Sequence, residues 1–386
     1  MFERWLDIPK HTSCLVIGPR RCGKTTLLRH RFPDDRYATL DDLDLLDWAK
    51  HDPKGFITDL QGRAVIDEIQ RLPMLTIAVK YAIDNQNGRF LMTGSSSLGL
   101  LDAAADTLAG RIEILSLPTL CWGESLGAPT HAIFADQPGF SDIKAANRRL
   151  PAVLQAGSFP EVVKQEDAAA RRKLLQNYKN TYFTRDLMQL SSIEDLDGLL
   201  GIFHHLARSI GSHLEVSNFA REAGLSHQTA KKYLNALHQA QLTFKLYGFQ
   251  YGPAKRYIKA AKTYFADNGI LCSLKVDVAE GQTIENFVIA ELEKRRKLGL
   301  LPAERFYYYK SAAGHEIDLV FESSGSLYAV EIKATERPGP RALRNLTNFK
   351  DRLNRPVKRF LFYLGDAYKK ENNVTLIPIA ALFRGR

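Results

Sequence analysis

The chain has 386 residues, a formal net charge of +10 and 45% hydrophobic residues, enough for two or three domains that fold on apolar burial alone. Its four cysteines, Cys14, Cys22, Cys121 and Cys272, show no CxxC or Cys/His metal spacing, which excludes a disulfide-rich secreted class and points to reduced thiols in the cytoplasm. The start MFERWLDIPKH lacks a signal-peptide core, and no apolar run approaches the roughly 20 residues that span a bilayer, so neither secretion nor a membrane is expected.

The charge is unevenly placed. Residues 1–130 hold 15 Lys/Arg against 17 Asp/Glu, and residues 131–386 hold 38 against 26. A basic carboxy-terminal part beside a near-neutral amino-terminal one fits a polyanionic partner, with nucleic acid the first candidate and DNA ahead of RNA.

The short apolar run Ser13–Ile17 predicts a strand, and it leads directly into Gly18-Pro19-Arg20-Arg21-Cys22-Gly23-Lys24-Thr25, followed by the helix-prone Thr26–His30. Strand, glycine loop and helix in this order form a phosphate-binding loop. Gly18 and Gly23 let successive backbone N–H groups approach phosphate oxygens at a helix start. Lys24 then reaches the β- and γ-phosphates of ATP, and the Thr25 hydroxyl ligates Mg²⁺.

Tyr37–Asp41 reads as a second strand and Ala64–Ile66 as a third, ending in Asp67-Glu68. Asp67 is placed to hold the water shell of Mg²⁺ and Glu68 to polarise the attacking water. Because the Tyr37–Asp41 strand lies between them in the chain, at least one strand is expected to separate the P-loop strand from the acidic one, as in additional-strand P-loop ATPases. Arg89–Ser96 reads as a further core strand whose small polar end offers Thr93 and Ser95 as γ-phosphate sensors. Arg111 is a cation with two open readings, a finger reaching phosphates of its own or a neighbouring subunit, or a surface salt bridge.

Thr130–Gly157 is rich in Pro, Gly and Ala and reads as a linker or boundary. In the helix-prone stretch Asp167–Leu190, Arg185 is a second phosphate-facing candidate, with an Arg185/Asp186 pair as the alternative. From Asp197 to about Phe249 three helices precede a β-like tail. Ser226 is placed to cap a helix whose Ala230, Leu234 and Leu237 point inward, in a helix-turn-helix pattern. Its opposite face carries Gln228, Lys231, Lys232 and Asn235, residue types that contact phosphates and bases. Packing against another domain is the alternative use of such a helix.

From about Thr283 the order is helix, strand, strand, strand, helix, strand, the order of restriction-endonuclease-like domains. Period-two alternation sends Glu331 and Lys333 to one face of their strand. Asp318 comes from the paired strand and Glu285 from the preceding helix. Asp318, Glu331 and Lys333 then match a PD-(D/E)XK site for Mg²⁺ or Mn²⁺, with Glu285 as an accessory acid. A docking scaffold that has lost cleavage is the alternative.

Taken together, GPRRCGKTTLL, AVIDEIQRLP, FLMTGSSS and LAGR in the first half, with GSFPEVV, YFTRDL, TYFADNGIL, IENFVIAEL, EIDLVF and VEIK in the second, resemble a bacterial and archaeal family of AAA-superfamily ATPases whose second half is a domain of uncharacterised function. The resemblance spans nearly the whole chain. It implies an α/β fold: a P-loop AAA-type core with a parallel sheet at 1–130, a linker and helical segment at 131–195, a winged helix at 196–260, and a nuclease-like domain at 261–386. The resemblance says little about biological role; the motifs and the basic carboxy-terminal part together lead to the expectation of a homo-oligomer that binds ATP and ADP and acts on nucleic acid. The competing expectation is a nucleotide-regulated switch or assembly ATPase.

Overall fold

The computed structural model describes residues 1–94, 107–130, 132–135, 137, 139–183, 187, 193, 195–250, 261–311 and 314–384. The chain divides into two compact units, one formed by Arg4–Thr119 with Gln239–Gln241 and a larger one formed by Met1–Glu3, Leu120–His238 and Leu242–Arg386. No helix among the described residues is long and apolar enough to cross a membrane.

The smaller unit, here the P-loop unit, alternates strands and helices: β1 (Ser13–Ile17), α1 (Lys24–Arg31), β2 (Arg36–Thr39), α2 (Leu43–His51), α3 (Pro53–Asp59), β3 (Arg63–Asp67), α4 (Leu75–Gln86), β4 (Arg89–Gly94) and β5 (Ile112–Ser116). Among the described residues the strands form one parallel sheet in the order β2-β3-β4-β1-β5. Parallel strands covered by helices are buried on both faces; β1 and β4 are buried along their whole length. Leu15, Ile17, Ile66, Phe90 and Met92 from the strands pack with Phe56, Leu75 and Val79 from the helices.

This strand order corrects one detail. A single strand does separate the P-loop strand from the acidic strand, but it is β4, and the Tyr37 strand lies at the sheet edge outside β3. The reason is topological: in a parallel sheet each crossover decides where the next strand docks, so neighbours in sequence need not be neighbours in the sheet.

The larger unit begins with helices α5 (Phe140–Asn147), α6 (Leu150–Ala156), α7 (Ala168–Tyr178), α8 (Leu196–Arg208), α9 (Val216–Glu222) and α10 (His227–Gln239). It continues with β6 (Thr243–Gly248), β7 (Lys262–Phe265), α11 (Glu280–Lys297), β8 (Tyr307–Lys310), β9 (Glu316–Ser323), β10 (Ser326–Lys333), α12 (Pro340–Asn348), β11 (Val357–Tyr363), β12 (Lys369–Glu371) and β13 (Val374–Pro378). The described strands form one mixed sheet in the order β12-β13-β11-β10-β9-β8-β6-β7. The hairpin of β6 and β7 crosses the expected boundary at 260/261 and is continuous with this sheet, because β6 pairs with β8.

Thr130–Gly157 is not a linker in the structure. It holds α5 and α6, and Phe134 packs on the sheet with its ring centroid 4.7 Å from that of Phe360 and 5.6 Å from that of Tyr328. Proline and glycine mark the turns between short helices as readily as they mark flexible chain.

A buried charge cluster ties this unit together. On α11, Lys294 Nζ donates to Asp267 Oδ2 (3.1 Å), Glu291 Oε1 (3.1 Å) and the Leu120 carbonyl (3.0 Å), and Arg295 donates to Glu291 Oε2 (2.6 Å) and the Leu382 carbonyl (2.5 Å). Glu291 Oε2 also accepts the Trp122 N–H at 3.0 Å. Every charge has an opposite partner, which is the condition for keeping ions out of water.

Candidate functional sites

The P-loop wraps the start of α1. Gly18 is packed so closely that a Cβ there would lie 2.1 Å from the Leu117 carbonyl oxygen, and Gly23 adopts φ 96°, in the left-handed region. Side chains are thus shut out at both ends of the loop. Pro19 and Cys22 are buried, Arg20, Arg21 and Thr26 are exposed, and the Cys22 carbonyl accepts from Arg4 Nη1 at 2.8 Å. The other arm of the Arg4 guanidinium donates to the Pro118 carbonyl at 2.8 Å, so one buried arginine fixes the loop to the chain leaving β5.

Lys24 is buried and its Nζ donates to the Gly18 and Pro19 carbonyls at 3.0 and 3.2 Å. Asp67 is the meeting point of three hydroxyls. Thr25 donates to its Oδ1 at 2.8 Å, Thr93 donates to the same oxygen, and Tyr37 donates to Oδ2 at 2.9 Å. Thr25 and Asp67 put a hydroxyl and a carboxylate in contact at the P-loop end, oxygen donors of the kind that suit Mg²⁺.

Glu68 follows Asp67 with φ 59° and ψ 42°, a left-handed conformation that is rare for a residue with a Cβ. Its N–H donates to Thr93 Oγ1 at 3.1 Å, and its carboxylate accepts from the Gln70 amide. Thr93 therefore touches both acidic residues. Ser95 and Arg185 lie outside the described residues. Arg111 is not brought to the P-loop: its Nε donates to Asp84 Oδ1 at 2.6 Å, the salt-bridge reading. That bond, first, raises the guanidinium pKa and lowers that of Asp84.

In the larger unit, Asp318, Glu331 and Lys333 come from the paired strands β9 and β10. Asp318 Oδ2 accepts the Ile332 N–H at 2.8 Å, and Lys333 Nζ lies 2.6 Å from Glu331 Oε1. Glu331 Oε2 is buried and has no hydrogen-bond partner among the described residues. Burial first, then Asp318, raises the Glu331 pKa. Burial lowers that of Lys333, but Asp318 and Glu331 outweigh it and hold the ammonium charged. Glu285 on α11 accepts from Tyr264 at 2.7 Å and is raised by burial and then by Asp318.

An unpartnered buried carboxylate oxygen beside a second carboxylate suits a hard cation. Among the described residues, however, no three His, Cys, Asp or Glu side chains converge as one ligand set. Glu285 is not gathered in as a third ligand, and the fit is to an ion held by two carboxylates and water.

On α10, Gln228, Lys231, Lys232 and Asn235 are exposed, while Ala230, Leu234 and Leu237 are buried together with Tyr233 and Ala236. Sequence reading missed Arg4 and the role of Tyr37. Neither lies in a recognisable motif, and only the folded chain brings them to the P-loop and to Asp67.

Comparison with known proteins adds three family matches: an AAA domain at residues 10–126, a domain of unknown function (DUF8612) at 147–280 and another (DUF4143) at 280–382. An uncharacterised protein of Mycobacterium tuberculosis is 30% identical over 338 residues, covering 84% of this chain and 70% of the relative. An uncharacterised protein of Methanocaldococcus jannaschii is 26% identical over 352 residues, covering 84% and 78%. Among solved structures, a signal transduction ATPase with a tetratricopeptide repeat sensor from Pyrococcus horikoshii matches at 12% identity and a TM-score of 0.22, over 77% of this chain and 46% of that one. Similarity at that level carries no argument.

Proposed function

Because the chain belongs to one family with its mycobacterial relative, and carries an AAA domain at residues 10–126, we propose that the P-loop unit binds and hydrolyses ATP and that the larger unit acts on nucleic acid. The observation that carries the first part is the 2.8 Å contact between Thr25 at the start of α1 and Asp67 at the end of β3. A hydroxyl and a carboxylate in contact beside Glu68 support a metal–nucleotide complex there.

In this reading the P-loop N–H groups and Lys24 hold the phosphates, and Lys24 leaves the Gly18 and Pro19 carbonyls to do so. Glu68 orients the attacking water, and Thr93 sits where it can sense the γ-phosphate. Thr25 and Asp67 would hold Mg²⁺ with the nucleotide, and the ion would supply positive charge against the charge that develops on the phosphates. Self-association is part of the proposal, tested by sedimentation with and without ATP.

The nucleic-acid part is supported by the excess positive charge of residues 131–386, by the exposed Lys231 and Lys232 on α10, and by the Asp318, Glu331 and Lys333 cluster. Cleavage would use Mg²⁺ or Mn²⁺ at Asp318 and Glu331. The rival reading, a nucleotide-regulated switch whose second half only docks proteins, differs in one measurement: DNA or RNA should raise ATP turnover in the first case and leave it flat in the second.

The test of the ATPase itself is a pair of variants. Lys24→Ala should abolish nucleotide binding, and Glu68→Gln should keep binding while slowing hydrolysis about 100-fold or more. Equal loss of binding in both would contradict these roles.

A further inference from the structure

We infer that Tyr37 is a positioning residue for Asp67: its phenol holds one oxygen of the carboxylate so that the other faces Thr25 and the Mg²⁺ that accompanies ATP. The inference rests on the ATPase reading and assigns a role to a residue outside the P-loop and the acidic strand end.

The two oxygens of Asp67 have different partners. Oδ1 takes the hydroxyls of Thr25 and Thr93, and Oδ2 takes Tyr37 at 2.9 Å. When Thr25 turns to a metal ion, it vacates a place on Oδ1 only. The terminal torsion of an aspartate is broad and roughly two-fold, so nothing intrinsic keeps the same oxygen pointing at the metal. The Tyr37 hydroxyl supplies that restraint, and it does so without competing for Oδ1.

The tyrosine ring is itself held in place. The Arg29 guanidinium lies over it, 4.7 Å from the ring centroid, a cation–π contact. Arg29 is in the last turn of α1, the helix that carries Lys24 and Thr25 in its first turn. Tyr37 thereby joins the P-loop helix to the acidic strand from the opposite side to β4. It sits on the edge strand β2, in register with Val65, and is 36% exposed.

The experiment compares wild type with Tyr37→Phe, which keeps the ring under Arg29 and removes only the hydroxyl. Fluorescent mant-ADP affinity is measured in EDTA and in Mg²⁺, and the Mg²⁺ concentration for half-maximal ATPase is measured alongside. Affinity in EDTA should be unchanged, because Tyr37 does not touch the phosphate loop. The gain in affinity on adding Mg²⁺ should fall about tenfold, and the Mg²⁺ requirement should rise in parallel, as outer partners of metal-binding groups typically show. Tyr37→Ala should do at least as much. An unchanged Mg²⁺ gain in Tyr37→Phe overturns the assignment while leaving the ATPase reading intact. A wild type that binds nucleotide in neither medium overturns both.

Discussion

Thr93 on β4 accepts the Glu68 N–H at 3.1 Å while its own hydroxyl donates to Asp67. One side chain thus sets the backbone bend at Glu68, whose φ of 59° is costly for a residue with a Cβ, and the orientation of Asp67. Valine has nearly the same shape and neither hydrogen bond. Thr93→Val is therefore expected to leave the ATP dissociation constant within about threefold and to lower kcat about 100-fold, since misplacing a water-orienting group by about 1 Å has that effect. The measurement is single-turnover hydrolysis beside equilibrium binding, and an unchanged kcat would show that Thr93 is only a packing residue.

The parts of the site that a sequence displays are those whose chemistry is local. Gly18 to Thr25 is contiguous, and the Asp67-Glu68 pair ends an apolar run, so both can be read without the fold. Strand order cannot, because crossovers and not chain order placed β4 between β1 and β3. Arg4 reaches the Cys22 carbonyl from 18 residues away and the Pro118 carbonyl from 114 away, and no periodicity announces a side chain aimed at backbone oxygens. Tyr37 was readable as a strand residue, but its partner Asp67 is 30 residues on. In the larger unit, alternation placed Glu331 and Lys333 on one strand face. The junction of β6 with β8 was hidden because a hairpin at the end of a helical segment looks the same whether it stands alone or extends a sheet.

The α11 charge cluster gives a stability prediction. Burial alone would raise the Glu291 carboxyl, but Lys294 and Arg295 overcome it and hold the pKa below its ordinary 4.5. A carboxyl depressed in the folded state contributes stability above its unfolded pKa and loses it as pH falls. Glu291→Gln leaves Lys294 and Arg295 buried short of one counter-charge, which costs about 3–5 kcal/mol. The gap in unfolding temperature between wild type and Glu291→Gln should be full at neutral pH and close as pH drops through 4.5 and below. A gap independent of pH would mean that the packing of Glu291, and not its charge, is what matters.

Lys231 and Lys232 are exposed on α10, on the side away from the buried Ala230, Leu234 and Leu237. If they meet phosphates, each releases counterions on binding. Lys231→Ala combined with Lys232→Ala should lower the slope of log K against log salt by about 1.8 on duplex DNA. Weaker binding with the same slope would place the nucleic-acid surface elsewhere.

The final prediction concerns the carboxylates of β9 and β10. Glu331 has one oxygen paired with Lys333 at 2.6 Å and the other buried without a partner, and Asp318 is held by the Ile332 N–H at 2.8 Å. Burial and then Asp318 disfavour the ionised form of Glu331, and a divalent cation between Glu331 and Asp318 would favour that form and give the unpartnered oxygen a partner. Lys333 is then free to stabilise charge on a phosphate oxygen. Incubating single-stranded, duplex and branched DNA and RNA with the protein in Mg²⁺ or Mn²⁺ should give metal-dependent cutting. Asp318→Ala and Lys333→Ala should each reduce it about 100-fold or more while nucleic-acid binding persists. Cutting that survives both changes would place the activity outside this cluster. No cutting of any substrate, together with no Mn²⁺ binding that depends on Asp318 and Glu331, would leave the sheet as a docking scaffold regulated by the ATPase.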